Sequence, residues 1–161
     1  MKNIKKLPAV VLAASGIFFV GCTKSIETAK PQNEIGSLRS DNATVWTANI
    51  QLSGAEEVPA VTTSTTGVAI LRLTAGGTLH TRINVENMEM GDALLFAHIH
   101  FGAKGTNGGV FLGIADMASD FFMNKKFMLS PAQVSTLQNN PLYVNVHSTK
   151  YPSGVIRGQI R

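Results

Sequence analysis

From Thr44 to the C-terminus, apolar side chains recur every second residue rather than every third or fourth. That period belongs to extended chain, whose successive side chains point to opposite faces, and it argues against an amphipathic helical bundle. "VWTANIQL" sets Trp46, Ala48, Ile50 and Leu52 against Thr47, Asn49 and Gln51. "LHTRINVENM" sets Leu79, Thr81, Ile83 and Val85 against His80, Arg82, Asn84 and Glu86. Between them, "VAILRLT" is expected to turn Val68, Ile70 and either Leu71 or Leu73 toward the core, and "AGGT" then reverses the chain. "SGAEEVPAVTTSTTG" is a turn-rich connection in which Pro59 breaks strand pairing.

One helix interrupts the strands. In "LSPAQVSTLQNNP", Ser130 is placed as N-cap, Pro131 at the first helical position and Gln133 three residues after the cap. Val134 and Leu137 share a face, and Asn139, Asn140 and Pro141 stop the helix after about two turns. "LYVNVHS" and "GVIRGQIR" then resume period two. Seven or eight short strands with one short helix near 131–139 predict an all-β antiparallel sandwich or barrel over residues 44–161.

The first 43 residues follow other rules. Lys2, Lys5 and Lys6 precede a mostly apolar, uncharged run from Leu7 to Val20. At about 14 residues this run is short for a bilayer span and matches the h-region of a secretory signal peptide. The sole cysteine, Cys22, follows Val20-Gly21 directly. "FFVGC" resembles a bacterial lipobox, which assigns residues 1–21 to a lipoprotein signal peptide and Cys22 to lipid modification. Phe19 and Val20 depart from the commoner residues of that motif. Residues 22–43, polar and aperiodic, read as a tether between lipid and domain. Localisation is expected at the bacterial envelope, at the outer rather than the inner membrane. Three of the 14 basic residues lie before Cys22, leaving 11 against 10 acidic ones. With no basic stripe interleaved with aromatics in the sequence, nucleic acid is not an expected partner.

The histidines carry the chemistry. In "FAHIHFGAKGTNGG", Ala97, Ile99 and Phe101 point one way, and His98 and His100 the other. In "LYVNVH", Leu142, Val144 and Val146 form the apolar set, with Tyr143, Asn145 and His147 opposite. With the apolar sets in the core, all three histidines project outward. If the two strands are neighbours, the imidazoles converge in a pattern that suits Zn²⁺ or Cu²⁺. The competing reading is structural: an H-x-H pair hydrogen-bonded to loop carbonyls, pinning the glycine-rich run. No fourth ligand is identifiable.

"LSGAEEVPAV…TGVAILRL", "AHIHFGAKGTNGGV" and "LYVNVHSTKYPSGVIRGQI" together resemble the signature blocks of the CHRD (chordin) domain over roughly residues 45–161. "HIHFGAKG" departs where glycine and proline more often follow the second histidine, as does Val155 where an acidic residue is usual. The resemblance implies an immunoglobulin-like sandwich or barrel of Greek-key type and no established catalytic activity. A weaker similarity is to copper-zinc superoxide dismutases. It would make His98, His100 and His147 copper ligands and Arg157 an anion-guiding cation. The bridging histidine, zinc cluster and disulfide cysteines of those enzymes are missing.

The closing block also has a structural reading. Tyr151-Pro152-Ser153-Gly154 forms a turn with proline second and glycine fourth. Arg157, on the face of Val155 and Gln159, is placed to hydrogen-bond carbonyls or a carboxylate on an adjacent strand, and Gly158 permits close packing or a bulge. No G-x-S-x-G, phosphate loop or H-E-x-x-H is present. The expectation is a non-enzymatic, lipid-anchored binding or structural module. Its partners are the membrane through Cys22 and an unidentified protein or glycan, with Cu or Zn binding as the alternative. Phe121, Phe122, Met123 and Met128 are assigned to the core rather than to an exposed patch.

Overall fold

The computed structural model describes residues 40–161. Cys22, the signal-peptide-like segment and the tether up to residue 39 lie outside the described residues. Eight strands form one sheet in the order β5-β4-β7-β8-β1-β2-β3-β6, every pair antiparallel. They are β1 (Thr44–Ser53), β2 (Thr66–Thr74), β3 (Thr78–Glu86), β4 (Leu94–Phe101), β5 (Val110–Ala115), β6 (Lys125–Met128), β7 (Leu142–Ser148) and β8 (Ile156–Gln159). The sheet curls into a nearly closed barrel around one core, an all-β architecture with a short helix as predicted.

Local sequence explains the connections. β1, β2 and β3 form a meander. Its second hairpin closes on Gly77, at φ 81°, whose N–H donates to Thr74 O at 2.9 Å. Helix α1 (Pro131–Asn139) begins with the predicted capping box: Ser130 Oγ accepts from Gln133 N–H while Gln133 Oε1 accepts from Ser130 N–H. It buries Leu137 against the barrel, with Val134 beside it. The last strand, β8, joins the halves, pairing with β7 on one side and with β1 through Ser53 and Arg157 on the other. A side chain at Gly158 would sit 2.3 Å from Gln51 O, so only glycine allows β8 to lie this close to β1.

The core is filled by the alternate residues Ile50, Leu52, Ala69, Leu71, Leu73, Leu79, Ile83, Val85, Ala97, Ile99, Leu142, Val144 and Val146. Three expectations need correction. Phe122, Met123 and Met128, assigned to the core, are exposed, and only Phe121 of that group is buried. On β2 the buried set is Gly67, Ala69, Leu71 and Leu73, so Val68 and Ile70 share the outer face with Arg72. The run is apolar at both parities, and its two leucines at 71 and 73 decide which one goes inside. Phe101, expected in the core, is exposed at the end of β4.

Candidate metal centre

Strand β7 is buried along its whole length, including the side that faces away from the core. Tyr143, Asn145 and His147 do lie opposite Leu142, Val144 and Val146, as alternation requires. They do not reach solvent, because three connecting segments roof them: residues 54–61, the glycine-rich loop 102–109 and the turn at 151–154.

Arg157 is the keystone of that roof. Its side chain is 1 % exposed. Nη2 donates to Thr106 O at 2.8 Å and Ala103 O at 3.2 Å, and Nη1 donates to Asn107 Oδ1 at 3.2 Å. Asn107 Nδ2 in turn donates to Val58 O at 2.7 Å, tying the loop to the first connection. The guanidinium lies 3.4 Å from the centre of the Tyr143 ring, and Tyr143 stacks on His100 at 5.1 Å and 10°. The carbonyl-bonding role read from sequence is therefore met, by loop carbonyls rather than by a neighbouring strand. An anion-guiding role is excluded by burial: a cation sealed under a loop with its donors spent on carbonyls meets no ligand in water.

The turn closes as predicted, Gly154 N–H donating to Tyr151 O at 3.1 Å. Gly154 is at φ 138°, and a Cβ there would fall 2.6–2.7 Å from Asn145 Oδ1, Asn145 Nδ2 and Glu57 Oε1. Glu57 Oε1 and Asn145 Oδ1 are both buried without a hydrogen-bond partner. Burial pushes the Glu57 carboxyl up to about 7, against the lowering pull of Arg157. At neutral pH a substantial fraction of this residue is a neutral acid.

The three predicted histidines meet under and beside this roof. His98 and His100 project from β4 opposite Asn145 and Tyr143 of β7, which makes His147 the diagonal neighbour of His98. Ring centres lie 5.2 Å apart for His98–His147, 5.4 Å for His98–His100 and 6.2 Å for His100–His147. Phe96 packs on His98 and His147 at 5.0 and 4.6 Å. β5 carries two register shifts opposite this stretch, flanking His98 and His100, the kind of bulge that re-aims side chains beside a site.

Protonation follows from the partners. His100 Nδ1 lies 3.1 Å from Gly108 O, and His147 Nδ1 lies 3.0 Å from Pro152 O. A carbonyl only accepts, so both Nδ1 atoms carry the proton and both Nε2 atoms present a lone pair. Those Nε2 atoms, together with His98 Nδ1, are buried and have no hydrogen-bond partner. Burial is the largest effect lowering all three imidazole pKa values. For His98 the charge of His100 adds to it while Asp116 opposes. For His100 the Gly108 carbonyl opposes and Arg157 adds. For His147 the Pro152 carbonyl opposes while His98 and His100 add.

The ligand atoms of the three histidines lie within 4.8 Å of one another. Nitrogens bound to one ion at about 2.0–2.1 Å would be separated by roughly 3.3–3.6 Å, so rotamer adjustments of about an ångström close the site. Both Nδ1–carbonyl bonds are the outer contacts that orient a metal-binding imidazole. A neutral three-nitrogen set suits Zn²⁺ and copper over Ca²⁺ or Mg²⁺, which favour oxygen. The structural reading of the H-x-H pair is thus half right: His100 does pin the glycine-rich run, but through one nitrogen only, leaving the other free.

Sequence reasoning missed Glu57, Asn107 and Phe96. The turn-rich 54–61 connection held the only clue to Glu57, an acid beside "VP", and nothing in the sequence shows it folding over β7 and β8.

The CHRD domain family model matches residues 48–160. The histidine cluster, the Arg157 keystone and the β7-β8 turn all lie inside that match. The chain belongs to the CHRD domain family. No curated protein and no solved structure matches it.

Proposed function

We propose that this chain is an exported, lipid-anchored, non-enzymatic binding protein whose CHRD domain holds one transition-metal ion, Zn²⁺ or copper, on His98, His100 and His147. One observation carries the metal reading: three imidazoles, each with a buried nitrogen that lacks a partner, offer ligand atoms within 4.8 Å of one another. Buried polar atoms left unsatisfied are costly, and three in one cluster share a single remedy in a common cation. The ion would be bound as a resident or carried ligand. Arg157 is spent on the roof, and Glu57 is not among the clustered ligand atoms, so neither supplies a catalytic partner. The export and anchor readings are supported by the basic, apolar and Cys22 pattern of the first 22 residues. Acyl chains on one cysteine provide more than one lipid tail, which suffices for stable membrane attachment.

The experiment is elemental analysis of protein purified without a polyhistidine tag, followed by Cu²⁺ and Zn²⁺ titration of wild type and His100→Ala. One ion per chain is expected, with affinity lowered at least 100-fold in the variant. Wild type that holds no metal and binds neither ion below millimolar concentration would remove the metal reading. Cys22→Ala tests the anchor: wild type should fractionate with membranes and carry acyl mass, and the variant should lose that mass.

A further inference from the structure

The outer face of β2, β3 and β6 carries a second feature that folding alone does not explain. Arg72 lies directly opposite His80, and His80 directly opposite Lys126, so three basic residues from three strands form one row across the sheet. Arg82 stands beside the row on β3, opposite Ile70. Arg72, Arg82 and Lys126 are thus held on one face around His80, and like charges gathered on a sheet are unfavourable. Here no carboxylate intervenes. The shallow groove of about 310 Å³ along this row is lined by Ile70, Arg72, His80, Arg82, Asn124 and Lys126. Arg72 donates to Thr44 Oγ1 and Arg82 to Asn84 Oδ1, both neutral acceptors. Among the described residues, the ion pairs all lie elsewhere.

Apolar groups border the cations. Met128 follows Lys126 on the same face of β6 and is 75 % exposed, and Ile70, Phe122 and Met123 are exposed as well. Phe122 sits at φ 65°, a left-handed conformation unfavourable for an aromatic residue, with its N–H held by Ile83 O at 2.9 Å. Strain of this kind, spent on keeping a large apolar ring at the surface, marks a working position rather than a packing accident. A lysine on the edge strand is a common guard against sheet-to-sheet pairing. That role accounts for Lys126 but not for Arg72 and Arg82, which lie on inner strands.

We propose that this basic and apolar face docks the domain onto an anionic membrane surface, its cations meeting phosphate-bearing lipid headgroups while Phe122, Met123 and Met128 enter the interface. The combination of cations with exposed aromatic and aliphatic side chains is what binding at a lipid interface requires. Position supports the same occupant. β1 begins at Thr44, whose hydroxyl accepts from Arg72, so the first strand starts beside the basic row. The cysteine read as the lipid anchor, Cys22, lies only 22 residues before Thr44 in the sequence. Lipid would then be presented to this face at high effective concentration. This last support rests on the anchor reading above; the charge row and the apolar rim do not.

The test uses the full processed chain mixed with vesicles of phosphatidylcholine alone, or of phosphatidylcholine with a third phosphatidylglycerol. Flotation reports attachment, and amine-reactive labelling read by mass spectrometry reports Lys126 against Lys104 on the distant loop. The expected result is Lys126 labelled several-fold more slowly on anionic vesicles, recovery of its labelling in high salt, and Lys104 unchanged. Arg72→Gln with Arg82→Gln, changes on the outer face of the sheet that relieve repulsion and leave the core intact, should abolish the protection. Flotation with both vesicle types but equal Lys126 labelling overturns the docking face and keeps the anchor. Flotation with anionic vesicles only, Lys126 protected, keeps the docking face and overturns the anchor. Flotation with neither overturns both.

Discussion

The outer faces of β4-β7-β8 and of β2-β3-β6 belong to the same sheet and have opposite fates. The first is roofed by three connections held by hydrogen bonds, Arg157 to the loop, Asn107 to Val58 and His147 to Pro152. Yet Glu57, Asn145 and the three histidines each keep one buried atom without a partner there. The second has no such roof, and its arginines bond only neutral side chains, Arg72 to Thr44 and Arg82 to Asn84. Without water an unpaired polar atom is expensive, so each orphan under the roof is informative by itself. On the bare face a lone charge costs little, and only the juxtaposition of Arg72, His80 and Lys126 carries meaning.

The sharpest way to break this comparison is to remove the keystone. Arg157→Met should destabilise the domain by about 3–5 kcal/mol in urea unfolding, since two carbonyls and the Asn107 amide lose their donor in a buried setting. A loss under about 1 kcal/mol would mean that the roof is held by something else. Gly154→Ala comes next, at about 2–3 kcal/mol, because its methyl would collide with Asn145 and Glu57 at a backbone angle that disfavours any side chain.

Two pH effects of opposite sign follow under the roof. Glu57 has a raised folded pKa, so its stabilising contribution is complete below its unfolded value of 4.5 and is lost as pH rises through about 7. Glu57→Gln should therefore gain on the order of 1 kcal/mol at pH 8 relative to wild type, and the gain should vanish near pH 4.5. The histidines have lowered folded pKa values, so the contribution of keeping them neutral is present above 6.5 and lost as pH falls through their folded values. Metal-free Glu57→Gln should then show a single acid-side decline that saturating Zn²⁺ displaces to lower pH, measured by thermal unfolding across pH 4–8. A decline that Zn²⁺ leaves in place would detach the histidines from metal binding.

The smallest effect belongs to the bare face. Lys126→Glu should stabilise the domain by about 0.2–1 kcal/mol through attraction to Arg72 and His80. The gain should grow as the pH falls and His80, held below its ordinary pKa by burial first and then by Arg72 and Lys126, takes up a proton. A destabilised variant would show that the row is a packing feature.

Much of the barrel was legible residue by residue. Period two located the strands, the S-P-x-Q pattern located α1 and its capping box, and the Tyr-Pro-Ser-Gly turn closed as read. The one parity error, on β2, fell where both faces are apolar and alternation carries no information. The patch residues divided, with Phe121 in the core and Phe122 and Met123 outside around a left-handed backbone at Phe122, while Met128 follows Lys126 on the outer face of β6. The sequence shows no basic stripe because its members lie eight and 46 positions apart; strand pairing alone makes them neighbours.

The opposition of His98 and His100 to the core, and the grouping of Tyr143, Asn145 and His147 on one side of β7, were determined by the sequence by itself. Alternation is a local property of extended backbone, and any reader of the chain recovers it. Whether that side met water was decided only by the tertiary structure. Residues 54–61 and 102–109 come from distant parts of the chain; Arg157 offers the carbonyls of Ala103 and Thr106 a buried donor, and Asn107 ties Val58 to that loop. That long-range closure turned three surface histidines into a cluster of unsatisfied nitrogens, and an expected anion guide into a keystone.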